Sequence, residues 1–224
     1  MNARVIAEEK PTPFFTKIKT VVTGHRFISD DLASPDKLGR TEDVPKSLLG
    51  CEIRVDYLRF YGERVWYHFS VNENSVGWIQ KKAMVRHYKR LDIKINNIES
   101  KTESSATKIL QIWSKFVEPE TNSQMQFSGI RPEDLIIKAQ GLKRTARLIN
   151  IENLKVIHHQ IDRGHPLIIW LSRPKNGRSR IMLVSGYTHH HVYLIDPSTT
   201  NLLMPTNQAL MGKWRGLGAQ AIIY

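Results

Sequence analysis

The residues whose side chains could most plainly take part in catalysis or metal binding lie between positions 178 and 197. There an apolar run leads into three consecutive histidines. Apolar residues bounded by turn residues predict a β-hairpin here. We expect one strand over residues 181–185, a turn at Gly186 and Tyr187 that extends through the histidines, and a second strand over residues 192–195. The C-terminal half of the chain is expected to support this hairpin.

The histidines at 189–191 suggest a metal site, but their spacing argues against one. Consecutive side chains of a strand point to opposite faces, so only His189 and His191 could share an ion. No second pair of acidic or histidine residues stands at ligand spacing, which a metal site requires. We therefore expect a polar hairpin loop, no metal and no cofactor.

Candidate nucleophiles are few. Cys51 is the single cysteine, which excludes an internal disulfide framework and a cysteine-rich zinc site. Ser104 and Ser105 precede an apolar helical pattern. They would serve either as helix caps or as a displaced nucleophile with a loop histidine as base.

The C-terminal half has the pattern of an α+β domain, with helices first and an antiparallel sheet after them. Apolar spacing of three and four residues predicts the helices, and short apolar runs predict the strands. The expected helices cover residues 104–116, 131–141 and 151–163, and the expected strands cover residues 166–171, 180–184, 192–196 and 218–224.

Residues 91–224 resemble the papain-like cysteine peptidases of the bacterial double-glycine leader-peptidase group. The matching segments, in order, are LDIKIN, the helix start TESSATKIL, Gly164-His165-Pro166 before LIIWL, the hairpin from Arg180 to Asp196-Pro197, and Trp214 ahead of AIIY. The resemblance implies a papain-like domain with a thiolate at a helix N-terminus, a facing histidine and an orienting carboxylate.

The sequence departs from that family where the chemistry should be. The nucleophile position holds Thr102, the base position holds Arg180, which stays protonated, and the oxyanion glutamine is matched only by Asn96 or Asn97. Asp196, the orienting carboxylate, remains. No catalytic set is retained, so we expect a pseudo-peptidase in which Arg180 and Asp196 form a structural ion pair.

The N-terminal part is predicted to be all-β. Residues 1–15 read as a leader or linker, and short strands follow, two of them joined by the turn Tyr61-Gly62-Glu63. The close spacing of the strands favours a small barrel. The expected fold class is therefore α+β, with a small all-β SH3-like barrel over residues 16–88 and a papain-like domain over residues 91–224.

Residues 16–86 resemble a GW module, the bacterial SH3-like cell-wall-binding repeat. The resemblance rests on KTVV, WYHF and above all VGWIQKKAM, which contains Trp78. It implies a tryptophan that packs beside basic residues that contact wall polymers. The binding residues it predicts are Trp78, Lys81, Lys82, Arg86, Lys89 and Arg90, which would act on phosphates through salt-sensitive charge.

The net charge of +12 over 224 residues fits an anionic partner. We expect a noncatalytic, extracellular, cell-surface protein that binds an anionic polymer such as teichoic acid, with a pseudo-peptidase domain that binds an extended peptide or wall ligand. No transmembrane segment and no nucleic-acid motif is found, and a signal peptide is absent from this sequence. The alternative is an active hydrolase with a rearranged Ser/Thr–His site.

Overall fold

A computed structural model of the protein describes residues 7–24, 26–29, 41–94, 104–117, 131–172 and 179–224. These residues contain four α-helices and thirteen strands, and the strands pair in an open antiparallel arrangement. The chain divides into two compact units, Met1–Asp92 and Ile93–Tyr224.

The N-terminal unit is built from seven strands in the order β3-β6-β5-β4-β2-β7, with β1 paired to β4. Two short 3-10 helices, Lys46–Leu48 and Lys81–Ala83, lie between strands. The strands are β1 (Ala7–Glu9), β2 (Phe14–Lys17), β3 (Phe27–Ser29), β4 (Glu52–Tyr61), β5 (Arg64–Val71), β6 (Asn74–Gln80) and β7 (Tyr88–Leu91).

The predicted closed barrel is wrong, as is the fold class built on it. In the N-terminal unit, β3 and β7 stand at opposite ends of the strand order and do not pair with each other, so the sheet is open. An alternating pattern reports which face of a strand is buried and carries no information on whether the first and last strands meet. The segment predicted as a leader contributes β1 and the start of β2.

The hairpin of β4 and β5 confirms the sequence prediction for this segment. Its two strands are joined by Gly62 and Glu63, and Gly62 has a φ of 59°, a left-handed conformation that glycine adopts at little cost. The next hairpin, between β5 and β6, turns at Asn72 and Glu73, which have φ values of 48° and 67°. Both residues of this turn are therefore non-glycine residues in the left-handed backbone conformation, which costs more energy for them than for glycine.

The C-terminal unit carries the helices on a sheet with the order β10-β9-β13-β8, extended by β11 and β12. The helices are α1 (Ser105–Val117), α2 (Pro132–Leu142), α3 (Lys155–Asp162) and α4 (Asn207–Arg215). The strands are β8 (Arg147–Asn150), β9 (Leu167–Ser172), β10 (Ser179–Thr188), β11 (Val192–Ile195), β12 (Leu202–Leu203) and β13 (Gln220–Ile223).

The core of this unit lies where α1 and α2 cover one face of the sheet. Ile109 and Trp113 of α1 are fully buried against Trp170 of β9 and Leu183 of β10. The indole Nε1 of Trp113 donates to the carbonyl oxygen of Pro166 over 3.2 Å, which satisfies its buried donor. The helical spacing of the apolar residues therefore marks the face that meets the sheet.

Several elements of the C-terminal unit differ from the sequence prediction. The third helix begins at Lys155 and not at residue 151, since residues 151–154 form a loop and turn between the helix and β8, a strand that was not predicted. Strand β10 continues through Gly186 and Tyr187 to Thr188, with a bulge between Val184 and Gly186, so the turn lies at the histidines. Helix α4 has a thin apolar stripe, Leu210 and Trp214, which the sequence prediction missed.

Candidate functional site

A basic concavity of about 590 Å³ lies on the N-terminal unit. Five cationic residues and a single acidic one, Glu63, line it. The cations come from four places in the chain: the segment after β2, the start of β5, the 3-10 helix after β6 and the segment before β7. They are Lys19, Arg64, Lys81, Lys82 and Arg86.

The wall of this basic concavity is fixed by hydrogen bonds between distant segments. Lys19 donates from its backbone N–H to the carbonyl of Ala83 over 2.9 Å and from Nζ to the carbonyl of Lys82 over 2.7 Å. Gln80, which is 5% exposed, accepts from Arg26 Nη1 through Oε1 over 2.7 Å. The 3-10 helix is therefore held against the strand that precedes Lys19.

The electrostatic field of the concavity is strongly positive. In the described part of the chain, no ion pair joins any of its five cations to a carboxylate. Like charges on low-dielectric walls reinforce one another and attract anions from solution. The arrangement is suited to hold several phosphates or carboxylates of one ligand.

The structure brings together three of the six binding residues predicted from the sequence, Lys81, Lys82 and Arg86. Lys89 lies over the Phe14 ring at 4.3 Å, and Arg90 lies over the Phe15 ring and pairs with Glu52. Trp78 is also outside the concavity.

Trp78 is 6% exposed and packs as core, and Arg59 lies over its ring at 4.1 Å. Two members of the concavity, Lys19 and Arg64, were missed by the sequence analysis. Arg64 follows the turn residues Gly62 and Glu63, which was the available signal for its position.

Arg180 and Asp196 form an ion pair in the C-terminal unit. The Asp196 side chain is 1% exposed and that of Arg180 is 32% exposed. Asp196 also accepts from the backbone N–H and the hydroxyl of Ser198, over 3.0 and 2.7 Å, and from the hydroxyl of Thr199 over 3.0 Å. The carboxylate thus caps the turn after β11.

A second concavity, of about 500 Å³, includes Arg180 in its wall. The other lining residues are mainly apolar, among them Met182 of β10 and Leu194 of β11. Leu203 and Met204, which also line it, are 37% and 51% exposed. Lys213 of α4 is the other cation. This apolar groove can accept apolar groups of an extended ligand beside two cationic side chains.

Of the remaining candidates, Ser104 and Cys51 lie within the described residues, and each makes a hydrogen bond within its own segment. Thr102, Asn96 and Asn97 lie outside the described residues. Ser104 caps α1, since its Oγ accepts the N–H of Thr107 over 3.1 Å. Cys51 lies in the N-terminal unit, where its Sγ donates to the carbonyl of Ser47.

The rings of the histidines in the β10–β11 turn contact one another. His190 contacts the rings of both His189 and His191 edge-on, at 4.5 and 6.5 Å between centroids. Within the described segments, no group of three or more His, Cys, Asp or Glu residues has the arrangement of a metal site. Nor does any helix there have the length and apolar character needed to cross a membrane.

The comparisons with known proteins give one structural likeness. No family model matches the chain, and no curated protein matches it. A solved chain from Bacillus anthracis described as a C39-like peptidase is similar, with 13% sequence identity, coverage of 55% of this chain and 88% of that chain, and a TM-score of 0.46. The chain is thus similar to a C39-like peptidase in part of its length, and at this identity and TM-score the likeness assigns no activity.

Proposed function

We propose that this protein binds an anionic polymer, such as a bacterial teichoic acid, in the basic concavity of its N-terminal unit. The observation that carries the proposal is the convergence of Lys19, Arg64, Lys81, Lys82 and Arg86 on one concavity. A polymer with a phosphate at each repeat would place several anions among these cations. The resemblance of residues 16–86 to GW modules supports a wall polymer and a location at the cell surface.

The C-terminal unit would then be a pseudo-peptidase that binds an extended peptide or wall ligand in the apolar groove. The groove supplies apolar walls and includes Arg180. The sequence resemblance aligns Arg180 with the base of the resembled peptidases. A guanidinium paired with a buried carboxylate cannot accept a proton at usable pH. Since Ser104 serves as a cap, the rearranged Ser/Thr–His hydrolase in this unit is the weaker proposal.

The test of polymer binding compares two double variants that remove the same charge. Lys81→Gln/Lys82→Gln removes two cations from the concavity, and Lys89→Gln/Arg90→Gln removes two from outside it. Binding of poly(glycerol phosphate) is measured by titration calorimetry at about 0.15 M salt. We expect the first variant to lose about tenfold or more in affinity and the second less than about threefold.

Equal losses in the two variants would show that net charge alone drives binding, which would contradict the proposal. DNA of matched charge is titrated in parallel, because equal affinity for DNA would contradict specificity for the wall polymer. For the apolar groove, Leu203→Glu/Met204→Glu is expected to abolish capture of extended apolar peptides from a peptide array.

A further inference from the structure

Three polar side chains on adjacent strands of the N-terminal unit form a hydrogen-bonded line. Asp56 of β4 lies 2.7 Å from His68 of β5, measured from Oδ1 to Nδ1. The other ring nitrogen of His68, Nε2, lies 3.2 Å from Oγ of Ser75 on β6. The line therefore runs from a carboxylate through both nitrogens of an imidazole to a hydroxyl.

The register of the strands explains this arrangement. His68 is opposite Tyr57 on β4, and Ser75 is opposite Ser70, two residues beyond His68 on the same face of β5. A bulge between Val55 and Tyr57 occurs at Asp56, and a second irregularity lies beside Ser75, between β5 and β6. Bulges redirect side chains, and they are frequent beside functional sites.

The imidazole is held in position by its neighbours. Its ring packs against Trp78, with 5.1 Å between centroids, and the Trp78 side chain is itself nearly buried. The second carboxylate oxygen of Asp56 lies 3.8 Å from Nη1 of Arg54, which steadies the carboxylate from its other side. At the opposite end of the line, Ser75 is an exposed residue.

The order of the contacts fixes the chemistry of the ring. A carboxylate only accepts hydrogen bonds, so the Nδ1 of His68 must carry the proton that it donates to Asp56. In the neutral ring, Nε2 is then the acceptor, and it faces the hydroxyl of Ser75. A serine whose hydroxyl donates to an imidazole held by a carboxylate has the arrangement that activates serine nucleophiles.

We propose that Ser75 is a nucleophile for acyl esters, with His68 as its base and Asp56 as the residue that positions His68. Oγ of Ser75 attacks the ester carbonyl while its proton passes to Nε2 of His68. The alcohol leaves with that proton, and Ser75 carries the acyl group. Water, deprotonated by His68, then attacks the acyl carbon. The bond between that carbon and Oγ breaks, the carboxylic acid leaves, and His68 returns the proton to Oγ of Ser75.

This inference goes beyond polymer binding and does not depend on it. None of the three residues lines the basic concavity, so the failure of one proposal leaves the other standing. The open position of Ser75 near the end of the β5–β6 hairpin favours small esters or esters displayed on a surface over a substrate that must be enclosed.

The test treats the full chain with p-nitrophenyl acetate and with a fluorophosphonate, and locates the modified residue by peptide mass mapping. We expect acetylation and phosphonylation at Ser75, absent in Ser75→Ala. Because Ser75 is exposed, that variant is expected to fold. The matched control is Ser70→Ala, which removes the serine paired with Ser75 on the same face and is expected to leave the labelling unchanged.

The roles of His68 and Asp56 are separated by rates. His68→Asn should slow the labelling of Ser75 by about a hundredfold or more, and free imidazole should restore part of the rate in His68→Gly. Asp56→Asn should slow labelling by about tenfold or more, with partial recovery in Asp56→Glu. A purely structural network would give neither rescue. Labelling of Ser75 at the same rate in His68→Asn, or no labelling of Ser75, would overturn the proposal.

Discussion

Arg180 donates to the one acceptor position of Asp196 that the following turn leaves available. A carboxylate has about four acceptor sites, two on each oxygen. The backbone and hydroxyl of Ser198 occupy Oδ1, and the hydroxyl of Thr199 shares Oδ2 with the guanidinium. Asp196 is therefore saturated, and it has no capacity left to orient a histidine.

Replacement of the carboxylate by an amide should destabilise the C-terminal unit. Asp196→Asn leaves the Arg180 guanidinium, two-thirds covered, without its counter-charge and weakens the turn that follows β11. We expect a loss of about 2–4 kcal/mol in the free energy of unfolding, measured in urea. Ser198→Ala, which removes one hydroxyl donor, should cost about 1 kcal/mol. An Asp196→Asn variant with near wild-type stability would contradict the assignment.

Polymer binding at the basic concavity should weaken steeply with salt. Each phosphate contact releases counterions, which gives a slope of log affinity against log salt of about −0.7 to −0.9 per contact. Lys81→Gln/Lys82→Gln should reduce this slope by about 1.5, as measured by titration from 0.05 to about 0.3 M salt. If Lys89→Gln/Arg90→Gln changes the slope equally, the concavity is not the contact surface.

Introducing a glycine at one tight hairpin of the N-terminal unit and removing a glycine from the other should change the stability of the protein in opposite directions. Glu73 occupies a left-handed conformation with a φ of 67°, so Glu73→Gly relieves strain and should stabilise the protein by about 1 kcal/mol. At the neighbouring turn Gly62 has a φ of 59°, and a Cβ there would meet no atom within 4 Å. Gly62→Ala should therefore destabilise by about 1 kcal/mol through the backbone alone. Thermal unfolding measures both, and a common sign would contradict the argument.

The stability of the C-terminal unit should fall in mild acid because of His165. Its ring stacks on Tyr224, with 4.3 Å between centroids, and burial lowers the pKa of His165 below 6.5. Arg163, Lys143 and His159 add to this lowering, while a hydrogen bond to the backbone of Tyr224 opposes it. Below pH 6.5 the unfolded chain binds a proton that the folded chain resists.

The free energy of unfolding should accordingly be constant above about pH 7 and decrease as the pH falls through 6.5 toward the lowered folded-state pKa. Urea titrations between pH 5 and about 8 check this. His165→Gln should flatten the slope of the free energy of unfolding against pH. If the pH dependence of the free energy of unfolding is unchanged in His165→Gln, another titratable group is responsible for it.

Local pattern was sufficient for much of the secondary structure. The apolar residues of α1 recur at helical spacing, and Ser104 caps the helix where expected. The β4–β5 hairpin follows from its alternation and from Gly62. Helix α4 was missed because only Leu210 and Trp214 are buried, too few residues to establish a period.

Sheet closure and the sites depend on contacts between distant residues. The barrel prediction failed because the residue pattern within a strand does not indicate whether the first and last strands of the sheet pair with each other. The spacing of Lys81, Lys82 and Arg86 was visible in the sequence, whereas Lys19 is brought to them by hydrogen bonds to the carbonyls of Ala83 and Lys82, which lie 64 and 63 positions away in the chain. Asp56, His68 and Ser75 have no shared motif, and only strand register and bulges align them.

The basic concavity is discontinuous in the chain, since its cations stand at positions 19, 64, 81, 82 and 86. A synthetic peptide copied from the most basic stretch would reproduce the charges of that stretch without their arrangement, and it should compete poorly for the polymer. Recognition would therefore end when the N-terminal unit unfolds, although the unfolded chain keeps its full charge of +12. Under the proposed binding mode, retention of the protein on a poly(glycerol phosphate) matrix would report the native structure of this unit.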